Sequence, residues 1–411
     1  MKKDLDSLMH ANNIDAILAT GPGTHNPSVY YFTGGGHLTR VDLIKKRGEE
    51  PLLFYQSMER DEAAHTSLKT KSLDDYRYSE LFKQTGGDAL KARVLVYKNM
   101  LTDQGITSGK LVICGKVDAG WAYAVFDALQ TAMPELTMIG EVGNSLLSQA
   151  MVTKDEQEIA SIRRIGKSTV EVVSRVVEYL TSHRVEAETL VKSDGRPLTV
   201  GDVKQKINLW LAELDAENPE ATIFSIGRDA GVPHSAGNPA DPLQLGKTIV
   251  FDIYPCETGG GYFYDLTRTW CLGYASDEIQ QLYTDVRSVF DQVRCEFKTG
   301  THCPVYQQRA CELFEAQGHP TVRSNPQTLE GYVHGLGHGV GLNIHEAPWF
   351  GDTATLSDML TPGVVFTVEP GLYYPERGMG VRLEDTVWVR PDGEIEHLAE
   401  FPYDLVLPMG G

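Results

Sequence analysis

The 411-residue sequence predicts a two-part chain: a smaller α/β domain over residues 1–150 and an α+β domain over residues 151–411. Three observations predict it. Short apolar runs alternate with helical patterns through the first third, the signature of an α/β layer structure. A helix-start signal at residues 153–156 opens a long stretch of helical periodicity and puts the boundary near residue 150. Beyond it, long apolar strands turn back on themselves around glycines, which reads as hairpins combined with helices.

In the first part, Val29-Tyr30-Tyr31-Phe32-Thr33 running into Gly34-Gly35-Gly36 predicts a strand and a turn. Leu52 to Tyr55, Val94 to Tyr97 and Lys110 to Cys114 read as buried strands. Trp121 to Met133 reads as a helix stopped by Pro134. In the second part, Thr153-Lys154-Asp155-Glu156 has the form of a capping box. Ile159, Ile162, Ile165, Val170, Val173 and Val177 then recur at near-helical spacing as far as His183. Further helices are expected from Ser276 to about Lys298 and from Val305 to Gln317, ending at Gly318. Strands are expected over residues 247–254, 261–272, 363–374 and 379–389.

Composition narrows the function. Apolar residues at 41 % and charged residues at 23 % suit a globular chain and exclude disorder and a coiled coil. Lys and Arg number 37 against 56 Asp and Glu, a net charge of −19 that repels phosphate backbones, so no nucleic-acid partner is expected. No uncharged apolar run reaches the roughly 18 residues of a membrane helix, so no membrane partner is expected. Acids fall where a secretory signal would be apolar, which predicts a cytoplasmic chain. The cysteines at 114, 256, 271, 295, 303 and 311 show no C-x-x-C spacing and read as free thiols.

Acidic residues inside apolar strands carry the functional signal. Asp252 and Asp265 flank the glycines of one hairpin and are expected to face each other on one side of the sheet. Glu369 and Glu384 lie symmetrically about a second turn near Arg377-Gly378. Burying four ionised carboxylates without cations is prohibitively costly. Two divalent ions would carry the balancing charge, and an oxygen-rich site suits an ion such as Mn²⁺. His334, His338 and His345 stand among glycines in Val333 to Glu346, outside both the zincin and the dinucleotide-loop patterns. His234 precedes the first hairpin in a turn-rich stretch.

Taken in order, Pro233-His234, Asp252, Asp265-Leu266-Thr267-Arg268-Thr269, Gly337-His338-Gly339, Ile344-His345-Glu346, Val368-Glu369-Pro370-Gly371-Leu372-Tyr373 and Val381-Arg382-Leu383-Glu384-Asp385 resemble the catalytic domain of the M24 "pita-bread" metallopeptidases. That group includes methionine aminopeptidase, aminopeptidase P and prolidase. Tyr30-Tyr31-Phe32-Thr33-Gly34 followed by Pro51-Leu52-Leu53-Phe54 resembles the creatinase-type N-terminal domain of the proline-specific branch.

The resemblance implies a pita-bread catalytic domain and two divalent ions per chain, Mn²⁺ foremost, with Co²⁺ or Zn²⁺ as alternatives. It implies Asp252, Asp265, His338, Glu369 and Glu384 as metal ligands, with Asp265 and Glu384 bridging. Glu369 would also be the general base, and His234 and His345 would contact the scissile amide. His334, Tyr373 and Arg382 match supporting positions around the substrate. The implied activity is hydrolysis of the Xaa-Pro bond of a short proline-containing peptide by a homodimer, as prolidase or aminopeptidase P. The alternatives are cleavage of a non-proline amide by the same core, or a metal-free creatinase-like relative. Arg382, His37 and Arg40 are candidates for capturing a substrate carboxylate. The spacing from Asp252 to Asp265 is two residues longer than the family's usual one, which predicts a longer hairpin tip at residues 256–261 with side-chain parity kept.

Overall fold

A computed structural model describes residues 4–351 and 354–409. The chain divides into two compact units: residues up to Met151 with Gly259–Gly261, and Val152–Thr258 with Tyr262 onward.

The first unit holds a six-stranded mixed sheet in the spatial order 69–72, 52–55, 41–46, 16–21, 109–115, 136–140. The strand at Ala16–Gly21 is buried on both faces and pairs antiparallel with Val41–Lys46 and parallel with Gly109–Gly115. Two expected strands are helices. Val29 to Thr33 lies in the helix Pro27–Thr33, because Pro27 is preorganised for a first helical turn and Gly34 closes the helix at φ 69°. Val94 to Tyr97 lies in the helix Ala89–Asp103, capped where the Asp88 side chain accepts from Lys91 N at 3.0 Å. Ala92, Val96, Tyr97, Met100 and Leu101 recur on the face it buries, a period that the four-residue run conceals.

The second unit opens with the helix Glu156–Thr181. Its capping box sits two residues later than the sequence suggested. Asp155 accepts from Gln157 N and Glu158 N at 2.9 and 3.0 Å, and Glu158 accepts from Asp155 N at 2.7 Å. Thr153 instead bridges Val364. The helices Asp277–Glu296 and Pro304–Ala316 fall where expected. Val286, Val289, Phe290, Val293 and Phe314 bury their faces in one core with Phe366, Val368, Val381 and Val387.

Two sheets carry the acids. One orders its strands 223–226, 248–253, 266–272, 406–407; the other 346–349, 338–339, 365–368, 385–389, 395–397. A two-stranded extension, Gly371–Tyr374 with Met379–Arg382, continues the second hairpin in the same register. Among the described residues no helix is long and apolar enough to cross a membrane.

Candidate metal centre

Asp252 is the last residue but one of the central strand Thr248–Ile253, pairing with Ile223 on one side and Thr267 on the other. Asp265 therefore does not face Asp252 directly. It lies two residues beyond Thr267 toward the tip, on the same side of the sheet and diagonal to Asp252. The tip turns on Gly259 and Gly260, with φ of 88° and 81°, a backbone only glycine adopts freely. In the second hairpin Val368 pairs with Asp385 and Gly371 with Arg382, so Glu369 and Glu384 do oppose each other.

The two hairpins are locked together beneath the acids. Glu384 N donates to Thr267 O at 3.1 Å. Arg268, 2 % exposed, spends all five N–H groups there: on the carbonyls of Thr267, Glu384, Phe401 and Pro402 at 2.7–3.0 Å, and on Asp385 Oδ1 at 2.9 Å. The Thr267 hydroxyl donates to Glu384 Oε2 at 2.7 Å and accepts from Arg382 Nε at 3.2 Å. Thr267, Arg268 and Asp385 were not singled out from the sequence as site residues. An arginine at the middle of a strand segment, Leu266 to Leu272, was the available signal.

His338 enters from a neighbouring strand. Its N–H donates to Thr367 Oγ1 at 3.1 Å, and Glu369 N donates to Leu336 O at 2.8 Å, which sets Glu369 beside it. Glycine is required on both flanks for space. A Cβ on Gly337 would fall on the Thr367 carbonyl oxygen, and one on Gly339 on the Ala347 carbonyl oxygen. His338 Nδ1 lies 3.1 Å from Gly339 O and donates to it, which turns the Nε2 lone pair toward Asp265 and Glu369, 3.7 and 3.5 Å away. Asp265, His338 and Glu384 each offer a ligand atom within 4.8 Å of the others.

Electrostatics shows what this arrangement lacks. Asp252 Oδ1, Asp265 Oδ1 and Glu384 Oε1 are buried without a hydrogen-bond partner. Burial, with the charges of the other acids added, pushes the carboxyls of Asp265 and Glu384 well above the ordinary range. Burial also raises Glu369 to about 8, with Asp252 adding and Arg382 opposing. Burial holds His338 down to about 3, His345 contributing, so its imidazole is neutral and free to ligate. Unpaired carboxylate oxygens and a neutral imidazole nitrogen form a donor set that a divalent cation satisfies and nothing else among the described side chains does.

These groups open on a cavity of about 480 Å³. His234, His334 and His345 line it with Asp252, Asp265, His338, Glu369, Arg382 and Glu384. Tyr373 does not: fully buried, it stands behind the wall, donating to His334 Nε2 and accepting from Arg382 Nη1, both at 2.8 Å. Arg382 also donates to Pro233 O at 3.1 Å and to Asp252 Oδ2 at 2.5 Å. It therefore braces Asp252 directly and Glu384 only through Thr267. Tyr254 also lines it, two residues after Asp252; Glu220, Thr222, Ile223 and Trp349 line it as well and carried no sequence signal. His37 and Arg40 belong to the first unit, where the Arg40 guanidinium lies 5.0 Å over the Trp121 ring.

Comparison with known proteins agrees with this chemistry. The chain is 25 % identical over 401 residues to the Xaa-Pro dipeptidase of Pyrococcus furiosus, covering 96 % of this chain and 97 % of that one. It is 27 % identical over 320 residues to the probable dipeptidase PepE of Mycobacterium bovis, covering 72 % and 76 %. A dipeptidase structure from Pyrococcus horikoshii superposes with a TM-score of 0.74 at 21 % identity, covering 98 % of this chain and 99 % of that chain. An X-Pro aminopeptidase structure from Thermotoga maritima gives 0.73 at 22 %, with the same coverage. These likenesses carry the two-part, pita-bread-type fold. Residues 160–391, more than half of the sequence, match metallopeptidase family M24, and the chain belongs to that family.

Proposed function

We propose that the chain hydrolyses the Xaa-Pro bond of dipeptides, with Xaa-Pro-Yaa tripeptides as the close alternative, using two divalent ions, Mn²⁺ foremost, in a cytoplasmic homodimer. The observation that carries the reading is the convergence of Asp252, Asp265, His338, Glu369 and Glu384 on one cavity whose wall also presents His234 and His345. The near full-length match to an Xaa-Pro dipeptidase supports the proline preference.

Asp252, Asp265, His338, Glu369 and Glu384 would hold the ions, which when bound polarise a carbonyl and lower the pKa of water. Glu369 takes the proton from the attacking water. It is the most open of the acids, its side chain 17 % exposed against 12 % for Asp252 and 5 % for Asp265. His345 is kept neutral by desolvation in the cleft, and so donates a hydrogen bond to the oxygen that becomes negative. His234, exposed at the rim, serves the departing proline nitrogen. His334 is held neutral by burial, at about 3, and locked between Gly335 O at 2.7 Å and Tyr373. It forms a rigid wall for the substrate.

The test is a parallel assay with Mn²⁺ of Ala-Pro, Ala-Pro-Ala, Ala-Ala and an N-acetylated amide. Cleavage of Ala-Pro alone is the expected prolidase result, and cleavage of the tripeptide marks the aminopeptidase P form. Activity on the acetylated amide with none on either proline peptide would overturn the proline reading.

A further inference from the structure

Two sequence features remain outside the mechanism: the lysine before the first long helix, and the glutamate that follows His345. The fold brings them together. Lys154 Nζ and Glu346 Oε1 form an ion pair between side chains 1 % and 5 % exposed. A pair this deep is costly to desolvate, and losing one partner would strand the other charge.

What the pair touches indicates its use. The Glu346 carboxylate lies under the turn that carries His345. It accepts from Asn343 N at 3.4 Å, and a Cβ on Gly341 would land on it. Gly341 N donates to Asn343 O at 3.1 Å, closing the turn above the carboxylate. The His345 ring, one residue along, meets the His338 ring edge to face at 4.4 Å. Lys154 is anchored to a different part of the catalytic unit. Its N–H donates to Gly363 O at 2.8 Å, its Nζ to Val152 O at 3.2 Å, and its neighbour Thr153 bridges Val364. That places it at the start of the strand that ends in Glu369. The ion pair thus ties the His345 turn to the strand carrying Glu369.

We propose that Lys154 is a positioning residue for the hydrolysis, acting through Glu346 to hold the His345 imidazole at a fixed distance from Glu369. This rests on the catalytic role given to His345 above. Neither Lys154 nor Glu346 touches the substrate cavity, so the pair sets kcat through His345 and leaves substrate binding unchanged.

The experiment compares the neutral pair Lys154→Met with Glu346→Gln, made together so that no charge is stranded, in the wild-type and His345→Ala backgrounds. Thermal melting and metal content are recorded for each. In the wild-type background the pair is expected to lower kcat on Ala-Pro by about 10- to 100-fold, the effect of misplacing a catalytic group by about 1 Å, with KM within about threefold. In the His345→Ala background the same pair is expected to cost less than about twofold. Equal losses in both backgrounds, or none in either, overturn the proposal. Lys154→Arg, which keeps the ion pair's charges and strands neither, supplies a milder variant should the neutral pair fold poorly, and the loss of kcat it causes must show the same dependence on His345. A second readout does not depend on the substrate. In the zinc-loaded protein the ring NMR signals of His345, assigned by their loss in His345→Ala, should shift or broaden in the neutral pair. Unmoved signals overturn the proposal whatever peptide is cleaved, whereas moved signals with no Xaa-Pro cleavage by the wild type would sink only the reading of the substrate.

Discussion

Glu369 and Glu384 oppose each other across one hairpin, yet their surroundings assign them different work. Both line the cavity, but Glu384 is 1 % exposed and receives the Thr267 hydroxyl, whereas the Glu369 side chain is 17 % exposed. Replacing Glu369 with Gln should lower kcat by about 10² to 10⁴-fold, the usual contribution of a positioned base, while the melting temperature stays near wild type. A variant with near-wild-type turnover would remove Glu369 from the mechanism. Thr267→Val is subtler, because it keeps shape and deletes one hydroxyl. Glu384 Oε2 and Arg382 Nε would both lose a partner. Metal affinity should weaken by about 10- to 100-fold, the typical effect of losing a group that orients a ligand, as read by titration against a chelator. Arg382 is a poorer candidate for substrate capture than its sequence position suggested. Four of its five N–H groups are already spent on Thr267, Pro233, Tyr373 and Asp252.

Acids buried within apolar strands are legible in sequence because water-exposed strands would alternate and these do not. That exposed the hairpins over residues 248–272 and 365–389 and the acids they carry. The register of the first hairpin was less legible. Symmetry about the glycines suggested facing aspartates, but ladder pairing centres on Gly259 and Gly260 and leaves Asp265 diagonal to Asp252. The helix over Ala89–Asp103 hid behind a run of four apolar residues, since a window that short cannot separate a period of 3.6 from a buried strand. Contacts between distant residues, such as Arg268 on the Glu384 carbonyl, leave no local pattern at all. The glycines around His338 permit close backbone approach, and the fold shows against what. Gly337→Ala would press a methyl onto the Thr367 carbonyl in the strand that presents Glu369. Overpacking of this kind costs about 1–3 kcal/mol, so a lowered melting temperature together with weaker metal binding is expected. An unchanged Tm would mean that the strand yields without penalty.

The chain carries a net charge of −19, and four of its acids are gathered, largely buried, around one cavity. In the absence of cations the folded protein therefore holds extra protons: burial, then mutual repulsion, raises Asp265 and Glu384, and burial raises Glu369 to about 8. An acid whose pKa is raised by folding stabilises the fold below its unfolded value, and that contribution is lost as pH climbs through the folded one. His334 and His338 pull the other way. Burial holds both at about 3, so folding excludes protons that the unfolded chain would bind up to about 6.5. Above about 6.5 these histidines are neutral in both states, and only the acids still distinguish them. The chelated protein should therefore lose melting temperature between about pH 6.5 and 8, whereas the metal-loaded protein should hold steady, because bound cations keep the carboxylates ionised. For the same reason, adding Mn²⁺ at about pH 7 should release protons, measurable by calorimetry in two buffers of different ionisation enthalpy. Parallel melting curves for the two forms, with no proton release, would show that the acids are already ionised without metal and that the site needs no cation to fold.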